Sequence, residues 1–392
     1  MLVEFSVRNF LSFKEKATLN MRRNQAYKEN PQNVIDSSSN HLLKIASIYG
    51  ANASGKTNLL IALYRFIKII HESMNASDSN GESVISQNYM PFDFESEYSS
   101  SEFEVILENN GFEYTYGFEY DETQIIAEWV YRKNLSTNRS SMLLYRQSGV
   151  IEFGSSVKKR CGIYHDQIPD EVLVLTFFNK IKMPTIFRQL YSYLKQLLFI
   201  SPELLSNYGF IEDVLPSIIN NEKDTFVSFL NAIDVGITDI NIVEERNELA
   251  FYTTHIGKDN EQYTLNLFNE SDGTIKCIFL YIHFYYALIN NSILIIDELN
   301  EKLHPLLLKY IISLLYNADS QAQLIFTTHA LSLLGKDCFR RDQIWFVEKD
   351  QFGYSSLKAL ASLNPRSDLA IYKNYIDGKF GGVPSFSDFS FV

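Results

Sequence analysis

Residues Gly50, Ala51, Asn52, Ala53, Ser54, Gly55, Lys56 and Thr57 complete the pattern G-x-x-x-x-G-K-T. In such a loop the backbone N–H groups turn inward and cradle the β- and γ-phosphates of a nucleoside triphosphate. Lys56 brings a mobile cation, and the Thr57 hydroxyl suits Mg²⁺. Gly50, Asn52, Ala53, Ser54, Gly55, Lys56 and Thr57 are therefore the expected phosphate contacts. The motif needs a strand before it and a helix after it. The apolar run Ile45 to Tyr49 and the stretch Asn58 to Leu63 supply both, and the helix N-terminus adds the positive end of its dipole.

Acids suited to hydrolysis lie far downstream. Ser292 to Ile296 is a continuous apolar run, the pattern of a strand covered on both faces, and it ends in Asp297-Glu298. Asp297 at that position can hold Mg²⁺ through water, and Glu298 can take a proton from the attacking water. A second apolar strand, Gln323 to Phe326, runs into Thr327-Thr328-His329, which puts His329 thirty-two residues after Asp297. His329 there can hydrogen-bond a γ-phosphate oxygen and steady Glu298. Upstream, Ser271 precedes Asp297 by 26 residues within Asn269-Glu270-Ser271-Asp272-Gly273-Thr274, and an apolar helix-like stretch follows. Ser271, Asp272 and Gly273 fit either a plain helix N-cap or a second phosphate-binding corner.

These residues need elements to hold them. Residues 1–70 give two strands and the phosphate-loop helix. Two polar, serine-rich tracts, Asn75 to Ser83 and Glu95 to Ser101, read as loops, and Met90 to Phe94 between them begins a strand-rich region. Phe112, Tyr114, Tyr116, Phe118 and Tyr120 alternate with polar or small residues, a strand with one aromatic face. Asn109-Asn110-Gly111 turns it back on Phe103 to Leu107. An inward-facing sheet explains the alternation better than a base-stacking surface. From Glu171 to Asp234 the pattern is helical, with Ile186, Leu190, Leu194 and Leu197 as one stripe and no sustained heptad. Ile240 to Phe251 and Tyr263 to Phe268 read as strands leading into the Ser271 segment.

In this order the four pieces resemble the ABC-type ATPases: phosphate loop, serine-glycine signature, Asp-Glu strand and His strand. The signature Glu270-Ser271-Asp272-Gly273-Thr274 departs from the transporter form. The opening Val3 to Phe13 looks like the first strand and turn of SMC- and RecF-like ATPases. Arg340 to Lys349 and Gly378 to Pro384 are similar to a prokaryotic phage-defence family that includes abortive-infection ATPases and is often labelled AAA-like. The resemblance covers both ends and is weakest between roughly Ser155 and Leu265. It implies an α/β P-loop NTPase fold of the ABC-ATPase type: a mixed central sheet, an antiparallel β-subdomain and an inserted helical lobe. The expected division is an N-terminal ATPase lobe over 1–160, a mainly helical inserted lobe over 161–260, and a C-terminal ATPase lobe over 261–392. The resemblance also implies that two chains close on ATP and Mg²⁺, each supplying Ser271, Asp272 and Gly273 to the other's nucleotide. Gln87 is a candidate γ-phosphate sensor, and Asn300, two residues past Glu298, a further candidate site residue.

Composition narrows the role. The net charge of −12 argues against strong unassisted DNA binding, although a local basic groove stays open. Cys161, Cys277 and Cys338 are scattered and odd in number, which fits a reducing cytosol without disulfides or a zinc site. Glu4 and Arg8 fall within the first apolar stretch, so no secretory signal is expected. The most membrane-like stretch, Cys277 to Ile296, is broken by His283, Asn290 and Asn291, so a cytoplasmic protein with no membrane partner is expected. The absence of any Asp-x-Asp pair removes a Toprim-type nuclease site of the usual pattern. The expectation is an ATPase whose nucleotide-driven dimer closure regulates or scaffolds a separately encoded toxin or nuclease in anti-phage defence. The alternative is an SMC/RecF-like ATPase acting directly on DNA in repair or recombination.

Overall fold

The computed structural model describes residues 1–36, 40–75, 81–94, 99–200, 208–233, 236–245, 248–335, 337–366 and 370–383. Most of both serine-rich tracts, Asp234 and Pro384 lie outside the described residues. The N-terminal part runs β1 (Leu2–Arg8), β2 (Ala17–Asn20), β3 (Val34–Asp36), β4 (His41–Leu43) and β5 (Ile45–Tyr49), then α1 (Lys56–Glu72) and the short α2 (Val84–Gln87). Five strands thus precede the phosphate-loop helix where two were expected. The extra ones are only three or four residues long, too short to show a period in sequence. Met90 to Phe94 is not a strand; it turns, with Phe92 buried and its N–H donating to Asn9 Oδ1 at 3.2 Å.

Next come β6 (Ser101–Asn109), β7 (Phe112–Tyr120), β8 (Ile125–Asn134), β9 (Arg139–Gln147) and β10 (Val150–Phe153). They form a seven-stranded antiparallel sheet ordered β10-β9-β8-β7-β6-β1-β2. Its aromatic face is turned inward onto α1. Phe66 of that helix meets Phe5, Phe103, Tyr116 and Phe118 at ring-centroid distances of 5.6–6.1 Å, so the alternation serves packing.

The middle of the chain contains α3 (Ser155–Cys161), α4 (Val174–Lys180), α5 (Thr185–Leu194), β11 (Leu197–Ile200), and α6 (Tyr208–Ala232), which bends at Glu222. Then follow β12 (Ile237–Glu245), β13 (Glu248–Ile256) and β14 (Gln262–Asn266). This span is less helical and less separate than its sequence implies. Ile186, Leu190 and Leu194 line α5, but Leu197 belongs to β11, which pairs in parallel with the Asp-Glu strand. The helix had already ended, and four apolar residues in a row gain more as a covered sheet edge than as another turn. Helices α4 and α5 share a core with α1 and the antiparallel sheet, whereas α6 packs into the other core. The expected strand over 240–251 is two strands: β12 and β13 are the arms of a hairpin pairing Ile242 with Phe251.

The last part comprises α7 (Asp272–Asn290), β15 (Ile293–Ile296), α8 (Pro305–Asn317), β16 (Gln323–Thr327), β17 (Ile344–Lys349), β18 (Ser355–Ala359) and α9 (Ile371–Ile376). The central sheet is ordered β11-β15-β16-β5-β17-β18, parallel except for the antiparallel β18. One core fills the side facing α1 and the antiparallel sheet; the other fills the side of α6, α7 and α8. Strands β5, β15 and β16 are buried at every residue, which explains their unbroken apolar runs. Cys277 to Ile296 is α7 plus β15, and no helix among the described residues is long and apolar enough to cross a membrane.

Candidate nucleotide site

Parallel strands put their C-terminal ends on one edge, where α/β proteins place ligands. Here β5 delivers the phosphate loop, β15 delivers Asp297-Glu298, and β16 delivers Thr328-His329. β17, between β5 and β18, ends at Lys349.

The loop curls as its sequence demands. Ala53 has φ 60° and Gly55 has φ 108°, and α1 starts at Lys56. A Cβ on Gly55 would collide with the Ser355 hydroxyl and lie 2.7 Å from that of Ser12. These two serines hold the loop from behind. Ser355 Oγ donates to the Ser54 carbonyl at 2.6 Å and sits 2.7 Å from Ser12 Oγ, which accepts from Asn58 Nδ2 at 2.8 Å. A Cβ on Gly50 would meet Ser54 Oγ and the Val347 carbonyl, both at 2.5 Å. Gly382 packs there too, and its carbonyl accepts from Tyr375 at 2.9 Å. The Gly378 to Val383 segment therefore closes against the root of the loop.

Lys56 is 5 % exposed and donates to the carbonyls of Gly50 and Ala51, each at 3.0 Å. Burial lowers its pKa, and the charges of Asp297 and Glu298 oppose that shift. Asp297 is buried at 4 % exposure and accepts a short hydrogen bond from the Thr327 hydroxyl. The same hydroxyl accepts from the Glu298 N–H at 2.8 Å. Glu298 adopts φ 48°, unusual for a residue with a side chain, so its backbone is held by surrounding contacts. One of them is Lys276, 3 % exposed on α7, whose ammonium donates to the Glu298 carbonyl at 3.3 Å. Burial brings Lys276 down to about 8, against the pull of Glu301 and Glu298.

A cavity of about 450 Å³ is lined by residues 52–58 together with Glu298, His329 and Lys349. A larger one of about 1060 Å³ also borders the loop and shares Asn52, Ala53, Ser54, His329 and Lys349. Burial and the Lys56 charge lower the His329 pKa, outweighing Glu298 and Asp297, which favours the neutral ring. The donor set suits a triphosphate. Asn52, Ala53 and Thr57 are exposed to the cavity, the Ser54 hydroxyl is buried without a partner, and Lys56 rests on loop carbonyls. Among the described residues no cluster of three or more His, Cys, Asp or Glu could hold a metal alone. Thr57 would hold Mg²⁺ directly and the buried Asp297, which lines neither cavity, through water, and the ion would neutralise charge on the phosphates.

The other expected residues sit elsewhere. Asn300 lines neither cavity; its side-chain oxygen accepts from Thr328 Oγ1 at 2.7 Å and the His329 N–H at 3.0 Å, fixing the turn that carries His329. Gln87 also lines neither and turns back to donate to the Glu82 carbonyl at 3.3 Å. Ser271 caps α7, accepting from the Thr274 N–H at 3.1 Å, and Asp272 pairs with Lys302 at 2.9 Å. Ser271 and Asp272 are exposed and, like Gly273, lie outside both cavities of their own chain. Glu270, just before them, is tied to the hairpin by His255 at 2.7 Å and Thr253 at 2.5 Å. Sequence reasoning missed Ser12, Ser355, Lys276 and Lys349. Only Lys349 left a trace, as the polar end of an apolar run.

A family model described as "AAA domain, putative AbiEii toxin, Type IV TA system" matches residues 45–148 and 138–335. No curated protein matches the chain. Among solved structures it is similar to the "SMC head domain from Thermotoga maritima", at TM-score 0.45 and 14% identity over 91% of this chain and 98% of that one. An SmcHead bound to the C-winged helix domain of ScpA gives 0.45 and 15% over 92% and 99%. A Pyrococcus furiosus Smc head domain with an extended coiled coil gives 0.43 and 13% over 93% and 97%.

Proposed function

Because the chain belongs to this AAA-domain family, matched over roughly three-quarters of its length, we propose that it binds and hydrolyses ATP with Mg²⁺ as a dimer. The observation that carries the reading is the gathering of Lys56, Glu298 and His329 at the phosphate loop, with Asp297 behind them. Lys56 leaves its loop carbonyls for the phosphates. Glu298, held in its left-handed turn, takes the proton of the attacking water, and His329 steadies the γ-phosphate. Ser271 and the Gly273 amide reach the partner's nucleotide, which fits an exposed Ser271 and a half-buried Gly273 at a helix N-terminus away from their own loop.

Closure then controls a separately encoded toxin or nuclease in anti-phage defence. The family's description, which names a putative toxin and a TA system, supports a toxin–antitoxin setting, and the separate effector and the defence role are our extension of it. The direct test is light scattering on Glu298→Gln. The variant should run as a dimer with ATP and as a smaller species without it; an unchanged mass argues against nucleotide-driven pairing. For the cellular role, Lys56→Ala should erase phage protection in cells carrying the chain with its neighbouring genes. Equal protection by the variant would remove ATP from that role.

A further inference from the structure

Lys349 ends β17, the strand whose Phe346 lies beside Tyr49 at the root of the phosphate loop. Across the antiparallel ladder Lys349 is paired with Ser355. Directly paired residues send their side chains to the same face of a sheet. The Ser355 hydroxyl reaches the Ser54 carbonyl, so that face is the phosphate-loop face. The neighbouring Glu348 has its carboxylate against Gly381 and an ion pair to Lys358 at 2.9 Å, while it and Asp350 also line the larger cavity. Lys349 is exposed, and among the described residues no carboxylate forms an ion pair with it. It lines both cavities that flank the loop, each time with Asn52, Ala53, Ser54 and His329.

We propose that Lys349 is a second cation on the triphosphate, supplied by the same chain and directed at the terminal phosphate. The inference rests on the ATP-binding reading and deepens it. His329 and Glu298 mark the end of the cavity where the γ-phosphate is cleaved, and Lys349 lines the same cavity from β17, across β5 from the strands that carry them. Lys56 is anchored from within the loop and Lys349 from the adjacent strand, so the two approach from different elements. A cation at the γ-phosphate meets more charge in ATP than in ADP and gains further as charge shifts in the transition state.

The test measures ATP and ADP affinity by calorimetry for Lys349→Met, Lys349→Arg and Lys56→Ala, each in the Glu298→Gln background so that ATP persists. Lys349→Met should weaken ATP by about tenfold while leaving ADP within about twofold, and Lys349→Arg should restore most of the loss. With Glu298 restored, Lys349→Met should also slow turnover by roughly 10²-fold. Unchanged ATP affinity, or an equal loss for ATP and ADP, would overturn the assignment. Retention of ATP binding by Lys56→Ala would instead sink the phosphate-loop reading itself, so the two failures are distinguishable.

Discussion

At the scale of single residues, the site joins a carboxylate held in a strained turn to a buried amine that props it. Glu298→Gln keeps the shape and hydrogen-bonding capacity of the side chain but removes the base. Turnover should fall by roughly 10²-fold or more with ATP affinity retained; single-turnover kinetics check this, and a near-normal rate would assign the proton to another group. Lys276 offers a readout free of nucleotide. Its folded pKa of about 8 lies below the ordinary lysine value of 10.5. Between those values the unfolded chain holds a proton that the folded chain has released, so stability rises with pH across that window; below about 8 both states are protonated and the contribution is flat. Lys276→Met deletes this slope. Its Tm relative to the parent should therefore be highest at or below pH 8 and decline toward pH 10.5. Parallel Tm curves would mean that Lys276 is more hydrated than its burial indicates.

At the scale of elements, local sequence marks where chemistry is presented but not what braces it. The loop, the Asp-Glu strand and the His strand could be found because glycine spacing and continuous apolar runs are local patterns. Ser12 and Ser355 could not, since their meeting depends on β18 lying beside β17 and on the turn after β1 reaching it. Asn300 stands beside the acids in sequence, yet it acts through the backbone of His329 in the turn that follows β16. Leu197 was lost to the helix because three preceding stripe residues set a helical rhythm, and only the partner strand β15 reveals the change. The brace gives a sharp prediction. Gly55→Ala must place a methyl group against Ser12 and Ser355 at a φ of 108° that alanine resists. Nucleotide binding should be lost while the far-UV spectrum stays native. Intact binding would show that the loop can move away from both serines.

For the whole molecule, the dimer we propose has each chain offer one phosphate loop and, apart from it, the Ser271 cap to its partner. Ser271→Arg should block closure while sparing its own loop. Mixed with Lys56→Ala, it should recover part of the ATPase rate, because one site in the heterodimer then has both halves intact. Full activity of Ser271→Arg alone would leave that serine as a helix cap and nothing more. The serine brace carries a different consequence, one of timing. The loop at residues 50–57 is made early, but its support at Ser355 comes from a strand synthesised some three hundred residues later. On the ribosome the nascent chain carries the motif long before it has the pocket. Nucleotide capture is therefore expected only once β18 has emerged, and a chain truncated before that strand should carry the phosphate-loop motif without its brace.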